Sequence, residues 1–155
     1  MRVIAGTARR LLLKTPEGMD TRPTTDRIKE TLFNMIQGDI PGSIFVDLFS
    51  GSGGIGIEAL SRGARHAYFA ENAKDAIACI QANLSTTRFE DKATLLKQDA
   101  VSALSLISEK EVDIVFAEDT RETFNLLKYY NINKYKCSTF FYSFCTYFPV
   151  LLDIN

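Results

Sequence analysis

The sequence predicts an α/β protein whose parallel sheet is covered by helices on both faces. Three observations carry this. After Pro41-Gly42, short apolar runs alternate with helical stretches. One run, Phe45-Val-Asp-Leu-Phe-Ser-Gly-Ser-Gly-Gly-Ile-Gly-Ile-Glu-Ala-Leu60, passes through a glycine turn straight into a helix. Acidic residues then fall at successive strand ends, where open parallel sheets bind their ligands.

In chain order, Arg2–Ile4 and Leu11–Lys14 predict two short strands joined by Gly6-Thr-Ala-Arg-Arg10, a hairpin ahead of the main fold. Thr21-Arg-Pro-Thr-Thr-Asp26 offers an extended turn with several helix-capping side chains. Ile28, Leu32, Met35 and Ile36 then stand at i, i+4, i+7 and i+8, one face of a helix ending near Gly38. The alternation follows as strand 44–49, helix 54–62, strand 67–71, helix 73–84, strand 94–97, a short helix near 101–108, and strand 112–117. Three segments result: residues 1–40 as hairpin and helix, 41–120 as the α/β core, and 121–155 as an atypical tail.

Gly51, Gly53 and Gly56 give the spacing G-x-G-x-x-G. The first glycine permits a tight turn, the second lets backbone approach a ligand, and the third lets helix pack closely on strand. Asp47 precedes the turn, and Glu71 closes the next strand twenty residues after Gly51. An acid there can accept both hydroxyls of a ribose. Such a unit could hold a dinucleotide or S-adenosylmethionine. A pyrophosphate favours a free helix N-terminus, whereas a sulfonium and an amino group suit the extra carboxylate of Asp47, so S-adenosylmethionine is the better match.

Composition sets modest bounds. A chain of 155 residues that is 46% hydrophobic can bury one real core. The net charge of −1 announces no nucleic-acid partner, but residues 1–36 hold seven Lys/Arg against four acids, a mildly basic arm of +3. Cys79, Cys137 and Cys145 are odd in number and lack C-x-x-C spacing, and His66 alone could supply a nitrogen ligand, so neither a disulfide framework nor a metal site is expected. Cys79 shares a helix face with Ala76 and Ile80 as a packing thiol, and His66 is expected in a loop. No signal core follows Met1, and a reducing cytoplasm is the expected location. Cys137–Leu152 is uncharged over sixteen residues, yet it is short for a membrane span and carries Pro149.

The string Arg22-Pro-Thr-Thr-Asp-Arg-Ile-Lys-Glu-Thr-Leu-Phe-Asn34, with Asp47-Leu-Phe-Ser-Gly-Ser-Gly53 and Ile57-Glu-Ala-Leu-Ser-Arg-Gly-Ala64, resembles the bacterial 16S ribosomal RNA guanine-N2 methyltransferases of the RsmD type. Arg2-Val-Ile-Ala-Gly6 and Leu13-Lys-Thr-Pro16 fit the same pattern, and the resemblance covers about residues 1–117. It implies a Rossmann-like class I S-adenosylmethionine-dependent methyltransferase fold, with an N-terminal hairpin and helix facing RNA. It implies methyl transfer from S-adenosylmethionine to the exocyclic amine of a guanine, with 16S rRNA or the small ribosomal subunit as partner. The cofactor would be held by Asp47, Phe49, Gly51, Ser52 and Gly53 in the loop, Glu71 at the ribose, and Asp99 with Ala100 at the adenine. Arg2, Arg9, Arg10, Arg22, Thr24, Thr25 and Arg27 would face RNA. Taken as residues alone, the basic arm also suits a solvated hairpin, the Arg22–Arg27 stretch a capped helix start, and Asp99 a turn.

One departure bears on chemistry. Enzymes that methylate an exocyclic base nitrogen commonly carry Asp/Asn-Pro-Pro-aromatic after the fourth strand, which accepts the amine's hydrogen bonds and stacks on the base. Here Val112-Asp-Ile-Val-Phe-Ala117 leads into Glu118-Asp-Thr-Arg121. Glu118 and Asp119 can accept from an amine, but no stacking ring follows. Asn125–Asn155 shows no clear strand-helix alternation, so the sheet is expected to stop after its fourth strand. A reading-frame change near residue 117 would account for both departures. The sequence therefore leaves three functions open: an rRNA methyltransferase, a non-catalytic S-adenosylmethionine- or RNA-binding remnant, and an NAD-dependent oxidoreductase.

Overall fold

The computed structural model describes residues 1–17, 26–107 and 112–117, and the backbone of 138–141 and 150–153. Helix α1 (Asp26–Met35) precedes strand β1 (Ile44–Asp47), helix α2 (Gly54–Ser61), strand β2 (His66–Ala70), helix α3 (Lys74–Thr87), strand β3 (Ala93–Leu96), helix α4 (Ala100–Leu106) and strand β4 (Ile114–Ala117). Strands β5 (Ser138–Phe141) and β6 (Val150–Asp153) complete one sheet of order β3-β2-β1-β4-β5-β6. All neighbours pair in parallel except β5 with β6. The Rossmann-like class is as predicted. The sheet carries two strands beyond β4, where the sequence predicted none, because the Phe-, Tyr-, Ser- and Thr-rich tail hides its strands among residues of similar character.

The central strands are buried on both faces, which is why they are apolar throughout except for Asp47 at the end of β1. Their alternation still divides the core in two. Phe45, Ala67, Phe69, Ile114 and Phe116 face a cluster shared with α1, α2, α3 and the hairpin residues Val3, Ala8 and Leu13. Ile44, Val46, Tyr68, Ala70, Val115 and Ala117 face the other side, against Ala100, Ala103 and Ile107. This is the period of two expected of a pleated strand.

The predicted hairpin forms with less strand than expected. Arg2 and Leu12 make one antiparallel bridge, supported by Val3 N–H to Leu11 O at 3.0 Å and Leu13 N–H to Met1 O at 3.0 Å. Pairing stops at Ile4 because the Glu58 carboxylate takes the N–H groups of Ile4 and Ala5 at 2.8 and 3.0 Å. Gly6, at φ +84°, lies against the Ser61 backbone, where an added Cβ would fall 1.8 Å from the carbonyl oxygen. Only glycine fits there.

The hairpin is thus fastened to α2 through a buried charge cluster. Lys29 and Glu58 are fully buried, with Nζ 3.5 Å from Oε2, and Arg62 Nε lies 2.8 Å from Oε1. Lys29 also donates to Arg2 O at 2.5 Å. Burial pulls the Lys29 ammonium below its usual range, against the opposing pull of Glu58 and Asp26. This cluster rotates α1 relative to the predicted stripe: Leu32, Phe33 and Ile36 are buried, whereas Met35 is 55% exposed. His66, expected in a loop, opens β2 and bonds Thr94 Oγ1 at 2.8 Å. Cys79, expected to pack, is half-buried.

Candidate functional site

The glycine loop, Glu71, Asp99 and the end of β4 converge on the carboxyl edge of the sheet, since β1 to β4 run in parallel. The loop leaves β1 at Asp47 and re-enters α2 at Gly54. Gly51 and Gly53 have φ of +53° and +79°, and Gly53 occupies the N-cap of α2 with no side chain to offer. Asp47 supplies that missing oxygen from the strand, its Oδ2 accepting from Gly56 N–H at 3.2 Å. The buried Asp47 carboxylate therefore lies beneath the loop at the positive end of the helix. It shapes the cradle from behind.

Gly56 answers the packing expectation directly. An added Cβ would fall 2.3 Å from Cε1 and 2.7 Å from Cζ of Phe69, a fully buried ring of β2. Gly51 is the opposite case, with nothing within 4 Å of an added Cβ. The turn at Gly51 is open to a ligand, whereas the first turn of α2 at Gly56 is closed to any side chain.

Glu71 follows β2 and organises the loop. Its Oε2 accepts from Gly51 N–H at 2.9 Å, and its Oε1 accepts from Asn72 and Ala73 N–H, each at 2.9 Å. A carboxylate offers about four lone-pair positions, so three backbone donors leave room for a further hydroxyl donor. Asp99 caps α4, accepting from Ser102 N–H at 3.0 Å and Ser102 Oγ at 2.8 Å. Those two bonds hold its carboxyl below the usual aspartate range. Ala100 is buried in the first turn, and Phe49 is exposed on the loop beside the edge. These groups, an open glycine turn, an acid at the second strand and a capped helix at the third, fit a nucleoside-bearing cofactor.

Two further residues hold the loop, and neither was singled out by the sequence patterns. Asn83, 1% exposed on α3, donates from Nδ2 to Ser52 O at 2.9 Å. Its signal was present: Ala76, Ile80, Asn83, Leu84 and Thr87 form the buried face of α3, and an amide on an apolar stripe needs partners. Met1 reaches Ser52 from the other side, with Ser52 Oγ 3.8 Å from its sulfur.

The predicted RNA-facing residues gather in part. Arg2, Arg9, Arg10 and Arg27 line one groove of about 300 Å³ together with Asp26 and Glu30. Arg2 pairs with Asp26 at 3.0 Å. Burial alone would raise the Asp26 carboxyl, but the Arg2 bonds and the Lys29 charge outweigh it and hold it low. Arg22, Thr24 and Thr25, like Glu118 and Asp119, lie outside the described residues. Among the described residues, no helix is long and apolar enough to cross a membrane, and no acidic, histidine and cysteine group is assembled to hold a metal.

Escherichia coli ribosomal RNA small subunit methyltransferase D is 35% identical over 134 residues, covering 83% of this chain and 67% of that protein. YlbH of Bacillus subtilis is 44% identical over 111 residues, covering 72% of this chain and 60% of the relative. The chain thus spans about two thirds or less of the length of these curated relatives. The solved structure of Escherichia coli yhhF superposes with a TM-score of 0.70 at 36% identity, covering 83% of this chain and 72% of that one. The family model described as Conserved hypothetical protein 95 matches residues 1–131, past the expected limit near 117. The chain belongs to that family, the family of the RsmD-type ribosomal RNA methyltransferases.

Proposed function

We propose that this chain binds S-adenosylmethionine at the carboxyl edge of its sheet and that the reaction of its lineage is methylation of the exocyclic N2 of a guanine in 16S rRNA. The observation that carries the reading is the open turn at Gly51, fastened to the Glu71 carboxylate at 2.9 Å and closed from behind by Asp47 and Phe69. Glu71 would take one ribose hydroxyl at its remaining acceptor position, the Gly51–Gly53 backbone the amino-acid end, and Asp99 with Ala100 the adenine. The cofactor supplies an electrophilic methyl on a sulfonium. The groove of Arg2, Arg9, Arg10 and Arg27 would bind RNA phosphates without reading sequence. A ribosomal substrate places the protein in the cytoplasm.

Catalysis needs the guanine amine aligned with that methyl. Glu118 and Asp119 follow β4 directly and are the acceptors available to orient the amine, but Thr120 and Arg121 stand where the usual loop has proline and an aromatic ring. Without a stacking platform the base is poorly held, and orientation is a large part of such catalysis. This favours a second reading of the same site, cofactor binding with slow or no transfer. Calorimetric titration with S-adenosylhomocysteine and with NAD tests the cofactor, and radiolabel transfer to unmethylated small subunits tests the reaction. Binding of S-adenosylhomocysteine alone supports the proposal. Binding of NAD instead would replace it with the oxidoreductase reading.

A further inference from the structure

We infer that Asn83 is a positioning residue for the cofactor loop, an inference that rests on the proposed cofactor site. Its side-chain amide makes three hydrogen bonds. Nδ2 donates to Ser52 O and to Lys14 O, each at 2.9 Å, and Oδ1 accepts from Lys14 N–H at 2.7 Å. The Lys14 pair fixes the orientation of the amide, because turning it over would set N–H against N–H and oxygen against oxygen. The remaining Nδ2 proton is thereby aimed at Ser52.

Ser52 lies between the two positive-φ glycines of the loop. The peptide between Ser52 and Gly53 is planar, so holding Ser52 O from α3 also sets the direction of Gly53 N–H. That N–H closes the turn on Ser50 O at 2.7 Å. Gly51 N–H is meanwhile drawn to Glu71. Glu71, just after β2, and Asn83, on α3, therefore fasten peptides on either side of the open turn. Two left-handed glycines in three residues give this turn little conformational preference of its own, and the Asn83 amide is the side chain that holds the carbonyl of the Ser52–Gly53 peptide in one orientation. The same amide ties down the second arm of the hairpin, so the arm and the loop share one anchor.

The test compares Asn83→Asp and Asn83→Ala with Leu84→Ala. Leu84 is buried on the same face of α3 and belongs to the core cluster, so its truncation lowers stability while leaving the Asn83 amide and its partners in place, a control for reduced stability alone. S-adenosylhomocysteine affinity is read by calorimetry, and exchange of the Gly51 and Gly53 amides is read by hydrogen-deuterium exchange in the unliganded protein. We expect the Asn83 variants to bind about tenfold more weakly and to exchange the loop amides faster, while Leu84→Ala keeps wild-type affinity. Equal losses in all three variants, or wild-type affinity and exchange in folded Asn83→Asp, would overturn the inference. If the wild type itself does not bind S-adenosylhomocysteine, the cofactor proposal fails. The exchange readout then still decides whether Asn83 holds the loop.

Discussion

Gly56→Ala should destabilise the protein although alanine is the better helix former. The new Cβ would sit 2.3 Å from Phe69 Cε1, 2.7 Å from Cζ and 3.1 Å from Cδ1. Carbon atoms in contact prefer about 3.5–4.0 Å, so the ring or the helix must move by more than about 1 Å. Phe69 is fully buried and cannot swing into solvent. Overpacking of this kind costs about 1–3 kcal/mol, here about 2–3 because a 2.3 Å contact meets a fully buried ring, and helix propensity returns about 1 kcal/mol. The net expectation is a loss of about 1–2 kcal/mol, which lowers Tm by about 2–8 °C for a chain of this size. Urea denaturation and thermal melting measure it. Gly38→Ala is the control, with nothing within 4 Å of its added Cβ, and it should be neutral. The double variant Gly56→Ala/Phe69→Leu should lose less than the sum of its parts, because the smaller side chain makes room. A Gly56→Ala protein as stable as wild type would refute the close-packing argument.

Three other outcomes follow from the same structure. Glu58→Gln keeps one acceptor oxygen but sets an amide NH2 against either the Ile4 or the Ala5 N–H, and it leaves the buried Lys29 without its anion; a loss of about 3–5 kcal/mol is expected by urea denaturation. Asp99 has its carboxyl held below the ordinary 3.8 by Ser102. Its contribution is therefore present above pH 3.8 and fades as pH falls through the lower folded-state value. Asp99→Asn should flatten that part of the acid-stability profile, and an unchanged profile would argue against the cap. Arg9→Glu and Arg10→Glu should weaken binding to a 16S rRNA fragment and reduce its salt slope by roughly 0.7–0.9 for each phosphate no longer neutralised, as read by filter binding across a salt series.

The strand-helix alternation was legible because each strand is a short apolar run between turn residues, and β1 to β4 and α1 to α4 fall close to their predicted positions. Gly56 was legible for the same kind of reason, since glycine spacing reports where backbone must pass close to something. Met35 and Lys29 were not. Hydropathy puts the methionine inside and the lysine outside, but Glu58 and the Arg2 carbonyl hold the lysine in the interior and turn the helix with it. Asn83 was missed because its partners, Lys14 and Ser52, are 69 and 31 positions away. Asp47 was recognised by position, yet the backbone it serves is that of Gly56, and only the folded turn shows it. The last two strands escaped notice because the tail lacks the polar and apolar contrast that marks a strand elsewhere.

In the proposed cofactor site, the loop from Ser50 to Gly53 with Glu71 forms the cradle for S-adenosylmethionine. Calorimetric titration of the wild type and of Glu71→Ala with S-adenosylhomocysteine decides this. Saturable one-to-one binding to the wild type, abolished or weakened at least tenfold in Glu71→Ala, is the expected result. No binding to the folded wild type, or equal binding to both proteins, would contradict it.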